Sequence, residues 1–292
     1  MKNSNEHTVW IVVPVFNRAE KIFGLINQIH SQAFQDFIFV IVDHGTVDID
    51  YSLFVDSRIV VLRERPNLWW TGAVNVGVRY VIRKSTFAQD FILVINDDVQ
   101  VGEDYLRSLV DIGVSNPKTI IGSICVNSNT NRVMYAGLSL NRLKARFVPK
   151  YSNYKPDEVP EHLISSDILP GRGMLIPLGI FKSIGLFNES KLPHYGADNE
   201  FSWRARKKGF ELRIATNCRV FTESKEDAIY RFRSSFREFV MDKKKPGNLP
   251  AVISYSLLCF QRPYSVYYIG INFIRHLMSY IKRFLIRWNH SV

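Results

Sequence analysis

Four short apolar runs mark the first hundred residues: Val9–Val13, Phe37–Val42, Ile59–Leu62 and Phe91–Ile95. Their length and β-branched content predict buried strands. Pro14 stops the first, and the second ends at Asp43. Between the first two, Ala19 to Gln32 carries Ile22, Leu25, Ile26 and Ile29 at helical spacing. Gly72 to Ile82 reads as another helix, leading into the fourth strand. Continuously apolar strands alternating with helices predict an α/β fold, its central sheet mostly parallel and covered on both faces.

The pattern loosens afterwards. Tyr151 to Glu161 is polar with two prolines and reads as a loop, and Gly171-Arg172-Gly173 reads as a turn. Ile180–Ile184 and Glu200–Lys208 read as helices, the second ended by Gly209. Lys243-Lys244-Lys245-Pro246-Gly247 breaks the pattern and sets a boundary, giving a body over 1–245 and an extension over 246–292. From Ile274 onward, Leu277, Met278, Ile281, Phe284, Leu285 and Trp288 share one helical face. Arg275, His276, Lys282, Arg283 and Arg287 take the remaining arc. No repeat or low-complexity segment appears.

Composition sharpens the reading of that extension. The chain has 292 residues, 46% of them hydrophobic, which suffices for a full core. Of its net charge of +11, eight Lys or Arg lie between Lys243 and Val292, where no Asp or Glu occurs. A basic amphipathic helix suits an anionic membrane surface, with packing on the body as the alternative. Cys125, Cys218 and Cys259 form no Cys-x-x-Cys pair, which argues against a zinc site or disulfide framework and fits a reducing cytoplasm. Met1 to Thr8 lacks the apolar core of a signal peptide. The uncharged stretches Ala251–Gln261 and Pro263–Ile274 fall short of the roughly 20 residues a spanning helix needs. The expectation is a cytoplasmic protein, peripheral on the inner face of the membrane, with no nucleic-acid partner and homo-oligomerisation left open.

The candidate chemistry collects at strand ends. Pro14-Val15-Phe16-Asn17-Arg18 follows the first strand, Asp43-His44-Gly45 the second, and Asn67 through Gly72 the third. Asn96-Asp97-Asp98 follows the fourth. In a parallel sheet these ends share one edge, where α/β folds bind nucleotides. Adjacent carboxylates repel unless a cation offsets them, and oxygen ligands suit Mg²⁺ or Mn²⁺ bridging substrate phosphates. Asp43 is placed to accept hydrogen bonds from a base. Trp69 and Trp70 have faces that stack on a sugar or base, or else pack in the core. Arg172 faces a phosphate or an acceptor, or is a surface residue. His44 and His194 read as polar loop residues, and Arg204 and Arg206 as partners of nearby acids.

Taken together, Val12 through Arg18, Ile41-Val42-Asp43-His44-Gly45-Thr46, Asn67 through Gly72 with Asn75 and Gly77, and Asn96-Asp97-Asp98 resemble an inverting family 2 glycosyltransferase of the GT-A fold. The resemblance spans about residues 9 to 225. It implies a nucleotide-sugar half over about 9–100 and an acceptor and base half over about 101–245. Pro14, Phe16, Asn17, Arg18, Asp43, Asn67, Gly72, Asn75, Asn96 and Asp97 are then donor contacts, with Asp98 as metal ligand. Gly171 through Pro177 resembles the family's acceptor-side glycine turn, which places Gly173 and Met174 there beside Trp70. Leu192 through Glu200 resembles the Glu-Asp motif, with Asp198 as catalytic base and Glu200 as rival base on the acceptor side. Two positions depart from the pattern: Ala197 replaces the usual Glu, and no His stands near Val220–Glu223.

The implied reaction transfers a sugar from a UDP- or dTDP-sugar, rhamnosyl or galactosyl in type, to a saccharide or lipid-linked saccharide. The product would be bacterial cell-surface polysaccharide. A nucleotidyltransferase is disfavoured because Pro14–Arg18 contains no glycine for a phosphate loop. A non-catalytic nucleotide- or membrane-binding module is disfavoured by the presence of both Asp98 and Asp198.

Overall fold

The computed structural model describes residues 7–52, 54, 56–85, 89–223, 236–242 and 248–289, with backbone only at 238, 239 and 283–289. The strands are β1 (Val9–Val15), β2 (Phe37–Asp43), β3 (Ile59–Arg63), β4 (Phe91–Val94), β5 (Val99–Val101) and β6 (Thr119–Asn127). They continue with β7 (Arg132–Tyr135), β8 (Leu138–Asn141), β9 (Arg146–Pro149), β10 (Leu163–Ser165), β11 (Met174–Pro177) and β12 (Glu211–Thr222). The helices are α1 (Ala19–His30), α2 (Trp69–Lys84), α3 (Tyr105–Ser115), α4 (Leu178–Ile184), α5 (Ala197–Lys207), α6 (Phe236–Met241), α7 (Leu249–Cys259) and α8 (Tyr264–Asn289).

The main sheet runs β10-β12-β6-β11-β4-β1-β2-β3, with β5 on β12 and β7 on β6. Along this path β3, β2, β1, β4, β6 and β12 point one way, while β10 and β11 run against them. The continuous apolar runs follow from coverage on both faces. Val12, Val40, Val42 and Val94 pack with Val74, Val78 and Val81 of α2. The alternate residues Ile11, Val13, Phe39, Ile41 and Leu93 pack with Ile22, Leu25, Ile26 and Ile29 of α1. Burying each such aliphatic side chain contributes roughly 1.5–3 kcal/mol.

Register sets where the site lies. Val15 pairs with Asp43, and Asp43 with Arg63, so β1, β2 and β3 end level. Val94 pairs with Val12, which lets Asn96–Asp98 fill the edge beyond β4. Thr222 pairs with Val99 and so pins the chain immediately after Asp98. β11 runs antiparallel to β4 and starts opposite its end, Met174 against Val94, which brings the Gly171–Gly173 turn to the same edge.

The strands and helices of the first half agree with the sequence pattern to within a few residues. α5 begins at Ala197 rather than Glu200, which puts Asp198 in its first turn. The anticipated boundary at Lys243–Gly247 lies outside the described residues. Beyond it, Tyr255, Cys259, Phe260 and Tyr268 join the main core. Trp203 Nε1 donates to the Cys259 carbonyl at 2.9 Å, so α7 is docked on α5.

Candidate active site

Asp97 and Asp98 are held by one cation from the opposite loop. Arg18 Nη1 donates to Asp97 Oδ1 at 2.9 Å and to Asp98 Oδ2 at 3.1 Å. Burial pushes the Asp97 carboxyl up to about 6 against the pull of Arg18, and the repulsion of Asp98 adds to the rise. Asp98 Oδ1 is buried and has no partner. Thr222 Oγ1 donates to the Asp98 carbonyl at 3.4 Å. An orphaned carboxylate oxygen at a strand end fits a divalent cation, which needs only one or two protein carboxylates when phosphates and water complete its shell. Among the described residues no cluster of three or more His, Cys, Asp or Glu forms a full metal cage.

The far end of this edge is a cavity lined by Asp43, Gly45, Thr46, Val47, Asp48, Arg63 and Glu64. Asp43 is buried at its floor. Its Oδ1 accepts from Gly45 N at 3.0 Å, and its Oδ2 accepts from Tyr51 at 3.3 Å and Arg63 Nη1 at 2.5 Å. Asp43 therefore orients Tyr51 and Arg63, which sequence order alone does not assign to the site. The one visible signal is Arg63, a charged residue closing an apolar run. Asn17, at φ 55°, ties the first loop to the second. Its Oδ1 accepts from Thr46 N at 2.7 Å and Val47 N at 3.1 Å. Pro14 is paired within the sheet, and the exposed Phe16 ring rests 5.3 Å from that of His44. Asn67 is exposed on the helical turn Pro66–Leu68.

Gly72 and Asn75 do not face this cavity. Both are buried in α2 against the segment after α4. Asn75 Nδ2 donates to the Phe187 carbonyl at 2.9 Å and Glu189 Oε2 at 3.0 Å, and its Oδ1 accepts from Phe187 N at 3.1 Å. Its amide is spent on joining the two halves of the body. The expected nucleotide contact is corrected accordingly.

The second carboxylate arrives from α5. Asp198 Oδ2 accepts from Gly171 N at 2.9 Å, and Oδ1 accepts from Asn199 N at 2.8 Å. Burial raises its carboxyl above the ordinary range, opposed by these bonds and by the charge of Arg172. Gly173 N donates to the Val94 carbonyl at 3.1 Å, so one turn is tied both to Asp198 and to the end of β4. That turn demands glycine twice. A Cβ on Gly171 would lie 2.5 Å from the Trp70 ring, and Gly173 has φ +80°. Trp70 Nε1 donates to Asn96 Oδ1 at 2.9 Å, so its ring lies between the Asn96–Asp98 loop and the Gly171 turn. Met174 is buried at the start of β11.

Glu200 points elsewhere. It is 3% exposed and grips Arg204, Nε to Oε1 at 2.8 Å and Nη2 to Oε2 at 3.0 Å. Arg204 in turn donates to the carbonyls of Ile184 and Leu186. Glu200 is thus a buried structural pair, and its candidacy as rival base and acceptor-side residue is corrected. Arg206 pairs with Asp167 at 2.9 Å, in keeping with its expected role as partner of a nearby acid. Burial holds His44 and His194 below the usual imidazole range, and the His194 ring lies 5.4 Å from Trp69.

The structure thus sets a carboxylate pair at one strand end of a mostly parallel sheet and a recessed acid across the same edge. The model of glycosyl transferase family 2 matches residues 10–171, and the chain belongs to that family. It is a glycosyltransferase. Over 244 residues it is 25% identical to the low-salt glycan biosynthesis hexosyltransferase Agl10 of Haloferax volcanii, covering 79% of this chain and 71% of that one. Its fold matches GalNAc-T7, solved with UDP, GalNAc and Mn²⁺, at TM-score 0.64 and 14% identity over 91% of this chain. The chain spans 50% of that protein's length. It also matches S. aureus TarS 1–349 at TM-score 0.55 and 13% identity, covering 94% of this chain and 72% of TarS.

Proposed function

We propose that this chain transfers a sugar, with inversion, from a UDP- or dTDP-sugar to a saccharide or lipid-linked saccharide of a cell-surface polysaccharide. The observation that carries this reading is the Gly171–Gly173 turn, hydrogen-bonded at one end to Asp198 and at the other to the end of β4. It sets one recessed carboxylate and one carboxylate pair on a single edge. Asp43, Tyr51 and Arg63 receive the nucleobase end of the donor. Asp98, with Asp97 behind it, would hold Mn²⁺ or Mg²⁺, whose charge stabilises a departing diphosphate. Asp198 takes the proton of the acceptor hydroxyl as that oxygen attacks the anomeric carbon from the face opposite the diphosphate. A single catalytic carboxylate suffices because the leaving group departs as a diphosphate rather than a protonated alcohol.

The test is nucleotide release from a panel of UDP-, dTDP- and GDP-sugars with Mn²⁺, Mg²⁺ or chelator, with and without saccharide acceptors. Metal-dependent release from one donor is the expected result. A chain that binds no nucleotide by calorimetry would leave only a binding-module role.

The same reading places the protein on an anionic membrane surface, on the cytoplasmic side. No helix among the described residues is long and apolar enough to cross a membrane. Ile274, Leu277, Met278 and Ile281 are nevertheless all exposed along α8. Phe284, Leu285, Trp288, Arg283 and Arg287 have side chains outside the described residues. The opposite face is strapped to the β8–β9 hairpin, where Asn272 Nδ2 and Arg275 Nη1 donate to the Ala145 carbonyl at 3.0 and 3.1 Å. Arg275 is therefore engaged with the hairpin, and Lys282 is the exposed base of the described face. Removing the whole extension would strip core residues of α7, so the test is Leu277→Glu with Met278→Glu in the full chain. Flotation with phosphatidylserine-containing vesicles should fall at least about tenfold relative to wild type, since both apolar burial and charge attraction are lost. Equal flotation of the two chains would overturn membrane docking through α8.

A further inference from the structure

The glycine turn between the two carboxylate sites presents a cation that the proposed reaction has so far left unused. Arg172 is partly buried, yet among the described residues it has no ion-pair partner. The contrast with its neighbours is sharp. Arg18 bridges Asp97 and Asp98, Arg63 is held by Asp43, and Arg204 by Glu200. Arg172 instead acts on the Cys125 thiol, a weak partner for a group with five N–H donors. Asp98 and Asp198 both act on its charge. Neither forms an ion pair with it: Asp98 gives its Oδ2 to Arg18, and Asp198 accepts from two backbone N–H groups. A guanidinium held in a protein wall without a direct counter-ion is costly unless an anion arrives to share its donors.

The position of the turn indicates which anion. Gly173 N is bonded to the carbonyl of Val94, the last residue of β4, just ahead of Asn96, Asp97 and Asp98. The backbone of Arg172 is thereby fixed between Gly171, bonded to Asp198, and Gly173, bonded to the strand ahead of Asp98, on the path between the two acids. In the reaction proposed above, the group that gains negative charge on that path is the leaving diphosphate. Guanidinium groups bind phosphate oxygens in a bidentate fork, and a fixed cation aimed at developing charge lowers the barrier. Tyr135 and Cys125, which act on the Arg172 charge, are both buried, and surroundings poor in water strengthen such an interaction.

We propose that Arg172 contacts the diphosphate of the sugar donor and stabilises it as it leaves, sharing the task with the cation that Asp98 would hold, for which the described residues offer few ligands. The assignment rests on the donor reading above. It separates Arg172 from an acceptor-binding role, because an acceptor contact would leave nucleotide affinity untouched.

Calorimetry with UDP, dTDP and GDP, each against its monophosphate, tests it in Mn²⁺ on wild type, Arg172→Gln and Arg172→Lys. Arg172→Gln should weaken the preferred diphosphate about 10- to 100-fold, the range for a lost hydrogen bond to a charged group. Monophosphate affinity should move less than about threefold on the same scale. Arg172→Lys, which keeps the charge without the fork, should recover part of the loss. Equal weakening of mono- and diphosphate, or unchanged diphosphate affinity with a raised acceptor KM, would overturn the assignment. If Arg172→Gln fails to fold, Arg172→Lys binding the diphosphate as tightly as wild type would also count against the bidentate contact. A wild-type chain that binds none of the three diphosphates would overturn the donor reading itself and this assignment with it.

Discussion

Asp198→Asn is expected to lower kcat by about 10²- to 10⁴-fold, the span contributed by a positioned general base. Donor affinity should stay nearly unchanged, because among the described residues Asp198 is hydrogen-bonded to the backbone N–H groups of Gly171 and Asn199. The substitution isolates the base chemistry because Asn keeps the shape and one acceptor oxygen. That oxygen satisfies either Gly171 N or Asn199 N, and the other N–H then faces an amide. The local cost is roughly 1–3 kcal/mol, so a modest drop in thermal midpoint accompanies the loss of rate. The pH profile gives an independent reading. Burial raises the Asp198 carboxyl above the ordinary value of about 3.9. A base must be ionised to act, so activity is lost as pH falls through that raised value and is present above it. In wild type the acid limb of kcat should therefore lie above that of an unperturbed aspartate. Wild-type turnover in Asp198→Asn would remove Asp198 from the mechanism and return the base to an unassigned group.

The polar edge of the sheet is legible in the sequence because it depends on local order. A buried parallel strand must be apolar throughout, so the first polar residues after it mark the end of the strand and the edge of the sheet, as Asp43 and Asn96–Asp98 do. Helix α1 is equally plain, its four buried residues spaced for one face. The second half hides its strands for the converse reason. β8 and β9 form a separate two-stranded hairpin with no fully buried residue, and β12 carries Arg213, Asn217 and Arg219 through a register shift. Such strands lack both a continuous apolar run and a clean alternation. Asn75 and Glu200 mislead because polarity is no guarantee of exposure. Each is buried and satisfied by partners far away in sequence or one helical turn on, Phe187 and Glu189 for one and Arg204 for the other. Arg63 and Tyr51 escape a sequence reading because their role depends on meeting Asp43 in space. Sequence order gives the edge, while the division between site and scaffold appears only once partners are known.

Asp98→Asn is expected to reduce kcat by about 10²- to 10³-fold and to flatten the dependence of rate on Mn²⁺, an effect comparable to removing one preorganised electrostatic contact. The size follows from how few ligands the edge provides. Asp98 Oδ1 is the buried oxygen without a partner, whereas Asp97 is turned to Arg18 and its carboxyl is raised to about 6. Thr222, in the stretch that lacks a histidine, bonds to the Asp98 carbonyl at 3.4 Å. A cation here would be held by one carboxylate, with a second close behind it, and by the phosphates of the donor. Metal affinity should then rise when nucleotide is present, and a titration of Mn²⁺ with and without the preferred diphosphate would show that coupling. Asp97→Asn is the internal control. It removes a charge that burial already disfavours and leaves Asp98 its Arg18 contact, so the loss should be smaller than in Asp98→Asn. A wild-type rate indifferent to chelator, together with an unimpaired Asp98→Asn, would show that the charge on the leaving group is met by protein cations alone, Arg18, which is bonded to Asp98, and Arg172, on whose charge Asp98 acts, being the candidates among the described residues.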